Sequence, residues 1–105
     1  MSTFVLTYRA PKNYEPGSAQ TIEAWNAYFD GLGTHIVDRG NPVFSRATLG
    51  DCGAGTVLGG YSIIDADDLE AALVLAKGCP FLGNGGGVEV GQLTILNAGI
   101  TQIAG

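Results

Sequence analysis

Residues 59–82, GGYSIIDADDLEAALVLAKGCPFL, restrict what this chain can fold into more than any other stretch. Tyr61 to Ile64 form a short β-prone run. Asp67 then stands where a helix N-cap belongs, with Glu70 three residues on in a D-x-x-E capping arrangement. An apolar helix runs through Ala76. Lys77 suits the negative end of its dipole, Gly78 offers a left-handed cap, and Pro80 forbids continuation. Leu69, Leu73 and Ala76 lie on one side of this helix and Val74 and Leu75 toward another, which predicts burial from two directions.

Upstream, residues 3–9 (TFVLTYR) alternate, with Phe4, Leu6 and Tyr8 on one face and Thr3, Val5, Thr7 and Arg9 on the other. Period two with one apolar face predicts a strand. Residues 10–18 hold two prolines and a glycine and read as a loop, ending in Ser18 as an N-cap. From Ala19 the period changes. Ile22, Trp25, Phe29, Leu32 and Ile36 recur every three or four residues, a helical stripe that predicts a helix ending near Asp38, ahead of Gly40 and Pro42. Residues 42–49 (PVFSRATL) read as a second strand, 50–55 (GDCGAG) as a loop, and 57–65 as a third strand. The adjacent Gly59 and Gly60 inside that strand predict a bulge or a close backbone approach. Residues 88–96 read as a fourth strand, and 97–105 as a tail or arm.

The order β-α-β-β-α-β is the split βαβ arrangement, an α+β ferredoxin-like fold with a four-stranded antiparallel sheet and two helices on one face. Residues 1–96 form one such domain. Both parities of the strands stay apolar: Val57, Tyr61 and Ile63 against Leu58 and Ile64, and Val88 and Val90 against Leu93 and Ile95. A sheet apolar on both faces needs a second cover. Another copy packed sheet to sheet supplies it, giving a homodimeric α+β barrel.

Composition excludes more than it specifies. With 46% hydrophobic and 14% charged residues the chain is globular rather than disordered. A net charge of −5, with the five basic residues scattered, argues against nucleic-acid binding. No apolar run is long enough to span a membrane, and no signal-peptide pattern opens the chain, so a cytoplasmic location is expected. Cys52 and Cys79 are then expected as free thiols. One histidine and no Cys-x-x-Cys predict no structural zinc, and no cofactor is expected. The acids Asp65, Asp67, Asp68 and Glu70 are explained by capping at a helix start. The GNGGG run at 83–87 sits between a helix and a strand, the wrong context for a phosphate loop.

Two segments carry a family resemblance. The 59–82 stretch, followed by VEVGQL, resembles the YCII-related (YciI-like, DGPF) group, in which a G-Y-S-I-x-x-A-x-x-L-x-E-A strand–helix leads into K-G-C-P and an E-V strand. Trp25 with Val37-Asp38-Arg39-Gly40-Asn41-Pro42 resembles the W…V-D-x-G-x-P segment of one branch. The resemblance implies the dimeric α+β barrel. It also implies either a small lyase- or isomerase-like enzyme acting on ring compounds, with a His–Asp pair, or an accessory protein without established chemistry. The histidine of the better-studied branch lies early in the first helix; SAQTIEAWNAY has none, so no catalytic residue transfers by resemblance.

The residues themselves offer a short list. His35 is the only histidine, the residue type most used as a general base, and has Asp38 three residues on. One reading is a His–Asp base for proton transfer. The other is a helix-end histidine with Asp38 bonding local amides. Arg39 and Arg46 are candidate anion holders, set against a turn ion pair and an exposed edge-strand charge respectively. Tyr8 and Tyr61, on central strands, are candidate hydrogen-bond donors to a ligand between the sheet faces, or core residues with satisfied hydroxyls. Trp25 reads as core. A binding module for a small molecule and an enzyme using His35 and Asp38 both stay open.

Overall fold

The computed structural model describes residues 1–96. Its elements are β1 (Ser2–Pro11), α1 (Ala19–Leu32), a 3-10 turn (Gly33–His35), β2 (Ile36–Asp38), β3 (Thr56–Ala66), α2 (Leu69–Ala76) and β4 (Gly87–Gln92). The four strands form one antiparallel sheet in the order β2-β3-β1-β4, so β1 and β3 are central. Both helices contribute to a single core on one face: Tyr28 and Leu32 from α1 and Ala72 and Ala76 from α2 meet Phe4, Leu6 and Ile64 of the sheet. This is the split βαβ arrangement expected from the sequence. Residues 97–105, read as a tail or arm, lie outside the described residues.

The alternation of β1 is the register of the whole sheet. Phe4, Leu6, Tyr8 and Ala10 are buried against the helices, while Thr3, Val5, Thr7 and Arg9 are half-buried on the open face. Each fully buried Phe, Leu or Ile side chain contributes about 1.5–3 kcal/mol. The anchoring of the fold therefore rests on β1, β3 and the end of α1. The α2 helix lays Ala72 and Ala76 on the sheet, and leaves Leu69, Leu73 and Val74 exposed. Two-sided burial of α2 is not found: the small alanines bring its backbone close, and the larger residues project outward.

Four local expectations are corrected. First, α1 stops at Leu32 rather than near Asp38, because Gly33 takes a positive φ and its N–H bonds the Phe29 carbonyl. The chain with the β-branched Ile36 and Val37 then runs as an edge strand, paired with β3 through Ile36 and Asp38. Second, residues 42–49 form no strand: one isolated bridge, Pro42 to Gly60, is all that remains of it, since Pro42 has no N–H for a ladder. The second strand of the fold is the three-residue β2. Third, the cap of α2 is Asp68, whose Oδ1 accepts from the Ala71 N–H at 2.8 Å, rather than Asp67. Gly78 keeps a negative φ, and the chain leaves α2 through Lys77. Fourth, β4 ends at Gln92, four residues short of Leu96.

The glycine pair in β3 is a bulge, as its position predicted. Tyr8 faces Gly60 and Arg9 faces Leu58, leaving Gly59 as the extra residue. The inserted residue inverts the parity of the strand before it. Val57 thus packs on the core, whereas Tyr61 pairs with Thr7 and Ile63 with Val5 on the open face. Val88 and Val90 face the core beside Tyr8 and Leu6. The open face is correspondingly narrower in its apolar content than simple alternation implied: Val5, Leu58, Tyr61 and Ile63, bordered by Thr7 and Glu89.

Candidate functional site

The residues after β2 stay beside β3 although they form no strand. The Val43 N–H bonds the Gly59 carbonyl at 3.1 Å, and the buried Ser62 donates its hydroxyl hydrogen to the Arg39 carbonyl at 2.7 Å. Asp38 closes the turn by accepting from the Gly40 N–H at 2.9 Å. Gly40 has φ +78°, and a β-carbon there would fall on the Tyr61 carbonyl. At Gly60, with φ +153°, a β-carbon would lie 2.9 Å from the Asn41 carbonyl oxygen. The two backbones approach too closely for any side chain. The glycines of both segments are thereby explained by one crossing.

This crossing forms one wall of a cleft of about 330 Å³ on the helix side of the sheet. Ile22, Trp25, Asn26 and Phe29 of α1 form the opposite wall, Tyr14, Pro16 and Gly17 close one end, and Tyr8, Gly59 and Phe81 lie at the bottom. Arg39, Gly40, Asn41, Pro42 and Phe44 complete the rim, with Tyr61 beside them. The walls are aromatic and mutually braced. Trp25 sits edge-on to Tyr8 at 5.1 Å and to Phe81 at 4.9 Å between ring centroids, and Tyr14 meets Phe81 at 4.8 Å. Such pairs add about 0.5–1.5 kcal/mol each beyond their buried area, which holds the walls in place without a ligand.

Among the described residues, Arg39 is the one charged residue in the lining. Its guanidinium lies 4.2 Å over the Phe29 ring and donates to Asn26 Oδ1 at 3.2 Å. In a chain of net charge −5, a cleft holding a cation and, among the described residues, no carboxylate has a locally positive potential.

Beneath the cleft runs a chain of hydroxyls. Tyr8 donates to Ser62 Oγ at 2.9 Å, and Ser62 donates onward to the Arg39 carbonyl. Each hydroxyl has one hydrogen, so in the 3.1 Å contact between the two phenols Tyr28 is the donor and Tyr8 the acceptor. Burial pushes the Tyr8 phenol above its ordinary range, and burial together with the bond to Tyr8 raises Tyr28 strongly. Both therefore stay protonated through the neutral range. Their chemistry is to hold Arg39 in place by hydrogen bonds, not to exchange protons with a ligand.

The sequence-derived residues divide accordingly. Tyr8, Arg39 and Tyr61 line the cleft. Tyr61 projects from the opposite parity and accepts from Asn41 Nδ2 at a long 3.5 Å. Arg46 is exposed and donates to the Val43 carbonyl at 2.9 Å, bracing the loop outside the cleft. His35 is half-buried, with Nδ1 2.9 Å from the Asp65 carbonyl oxygen; since a carbonyl only accepts, Nδ1 carries the hydrogen. Asp38 bonds Gly40, so His35 and Asp38 have separate partners, and neither lines the cleft. Trp25, read as core, is also a wall of the cleft. The sequence reading missed Tyr14, Asn26, Phe44, Ser62 and Phe81. Of these only Ser62 carried a signal, as a small polar residue inside the apolar run YSII.

A family model described as YCII-related domain matches residues 1–94. The chain belongs to the YCII-related domain family. No curated protein and no solved structure matches it. The geometry explains why the two segments that carry the YCII-related resemblance occur together. Trp25 and residues 39–42 face one another across the cleft, and Gly59-Gly60-Tyr61 supplies the backbone against which residues 39–42 pack. Trp25, Arg39 to Pro42, Gly59 to Tyr61 and Phe81 of these segments line the cleft, whereas Ile64, Ala66, Ala72, Ala76 and Cys79 lie in the core.

Proposed function

We propose that this YCII-related protein binds a small, ring-containing molecule in the helix-side cleft, and that it does so as a homodimer whose open sheet faces pack into an α+β barrel. The observation that carries the binding reading is the cleft itself: aromatic on most sides, braced before any ligand arrives, and charged only at Arg39. Concave, mostly apolar sites with a few convergent polar groups are the usual form of small-molecule sites. Its location differs from the one expected between the sheet faces, because Tyr8 and the bulge both turn toward the helices. The half-buried Val5, Tyr61 and Ile63 on the open sheet face support the dimer. The free thiols of Cys52 and Cys79 are in keeping with a cytoplasmic setting.

Proton transfer through His35 and Asp38, the lyase- or isomerase-like alternative, has less support, because the two side chains have separate partners outside the cleft. Titration calorimetry with 2-naphthamide, a neutral planar probe, tests the binding reading. Saturable binding to one site per chain is expected, weakened at least about tenfold by Ile22→Glu, which places a charge on the apolar wall at an exposed rim position. Absence of binding, or binding unaffected by Ile22→Glu, contradicts it.

A further inference from the structure

The guanidinium of Arg39 is held for a purpose that packing does not explain. Its plane is supported by the Phe29 ring at 4.2 Å. One terminal nitrogen is fixed by Asn26 Oδ1 at 3.2 Å. The backbone carbonyl of the same residue accepts from Ser62 at 2.7 Å, at the end of the buried hydroxyl chain from Tyr28 and Tyr8. The side chain is exposed at the cleft rim and meets no carboxylate among the described residues. A neutral amide and an aromatic face leave the positive charge uncompensated, and most of the fork's five donors free. All other charged side chains, including the ten acids that dominate the chain, lie outside the lining.

We propose that Arg39 is the anchor for a carboxylate on the ligand, so that the cleft takes a planar aromatic or unsaturated ring acid. This rests on the helix-side cleft being the binding site. The ring lies between Trp25 and Pro42, and the acid group reaches the guanidinium at the rim, where two parallel N–H donors match its two oxygens. Neither neutral rings nor ring cations obtain that pairing. Asn26 and Phe29 are positioning residues: they act through the guanidinium, by fixing its plane and rotation. A volume of about 330 Å³ suits one fused or substituted ring rather than a polymer or nucleotide.

The test compares 2-naphthoate with 2-naphthamide, which share shape and differ in charge, on the wild type and on Arg39→Gln and Arg39→Lys. A charge-assisted pair gives the acid an advantage of about 10- to 100-fold in wild-type Kd. Arg39→Gln removes that advantage, so that acid and amide bind the variant with equal Kd, and far-UV circular dichroism reports that the variant is folded. Arg39→Lys restores part of the advantage, since a lysine keeps the charge but not the fork. Rising salt weakens naphthoate and leaves naphthamide unchanged. Equal wild-type affinities, or an acid preference that survives Arg39→Gln, overturn the assignment of Arg39 and leave the cleft standing. If neither probe binds, the cleft reading falls as well.

Discussion

Ser62 and Arg39 are joined by a 2.7 Å bond from the Ser62 hydroxyl to the Arg39 carbonyl, and this bond ties the fully buried centre of β3 to the rim of the cleft. Ser62 also accepts from Tyr8, so the same hydroxyl completes the chain that begins at Tyr28. Replacing Ser62 by Ala leaves the Tyr8 hydroxyl without its acceptor and the Arg39 carbonyl without its donor. A destabilisation of about 1–3 kcal/mol is expected from such orphaned buried groups. Urea denaturation at neutral pH measures it; Ser62→Thr, which retains a hydroxyl, separates the loss of the bond from the change in volume.

The same chain predicts how stability depends on alkaline pH. Tyr8 and Tyr28 have folded-state values raised above those of the unfolded chain, which titrates near pH 10. The folded state holds protons that the unfolded state releases, so the contribution of these phenols is fully present below about pH 10 and declines as pH rises beyond it. The urea midpoint should therefore show no pH dependence from them between pH 6 and 9 and a fall above about pH 10. The double variant Tyr8→Phe/Tyr28→Phe lowers stability at neutrality and makes that alkaline fall shallower. An unchanged alkaline slope in the double variant excludes the buried phenols as its source.

The crossing of residues 39–42 over the glycine bulge gives a third prediction. Alanine at Gly40 meets the Tyr61 carbonyl and must also occupy φ +78°. A strained positive φ alone costs about 1–3 kcal/mol, and the clash requires backbone movement in addition. Gly40→Ala is expected to cost at least about 2 kcal/mol. Alanine at Gly17, with φ +98° but nothing within 4 Å, costs less. Thermal unfolding of the two variants side by side checks the order. Equal losses mean that φ, not the close approach, is the constraint.

The dimer is tested at the open face. Val5 pairs with Ile63 on one side and Gly91 on the other, at the middle of the sheet. Ile63→Lys places a charge there without entering the helix-side core. Sedimentation at micromolar concentration should give a dimer for the wild type and a monomer for Ile63→Lys. A wild-type monomer at that concentration contradicts the barrel.

The sequence made the architecture legible wherever period and capping agreed: the alternation of β1, Ser18 as the cap of α1, and the Gly59-Gly60 bulge. It misplaced β2 because the apolar stripe of α1 runs without a break through Leu32 into Ile36, although Gly33 allows the chain to turn between them. It misassigned the face of Val57 because a bulge reverses parity, and the sequence located the bulge without giving its register. Tyr8, Arg39 and Tyr61 were singled out as candidate hydrogen-bond donors or anion holders beside their structural readings, and all three line the cleft. His35 drew attention as the only histidine, and its position on the turn before β2 gives its Nδ1 a backbone partner, the Asp65 carbonyl. Ser62 and Asn26 were missed because their roles depend on contacts across 23 and 13 positions of chain, which no local pattern encodes.

The most direct test of the cleft as the ligand site is amide and indole chemical-shift mapping during titration with 2-naphthoate. The account predicts that the largest changes fall on the Trp25 indole, Asn26, Arg39 to Asn41, and Gly60, while His35 and the open-face residues Val5 and Ile63 stay within the background. Shifts concentrated on Val5, Thr7, Ile63 and Glu89, or on His35 and Asp38, or no saturable shifts at all, would contradict it.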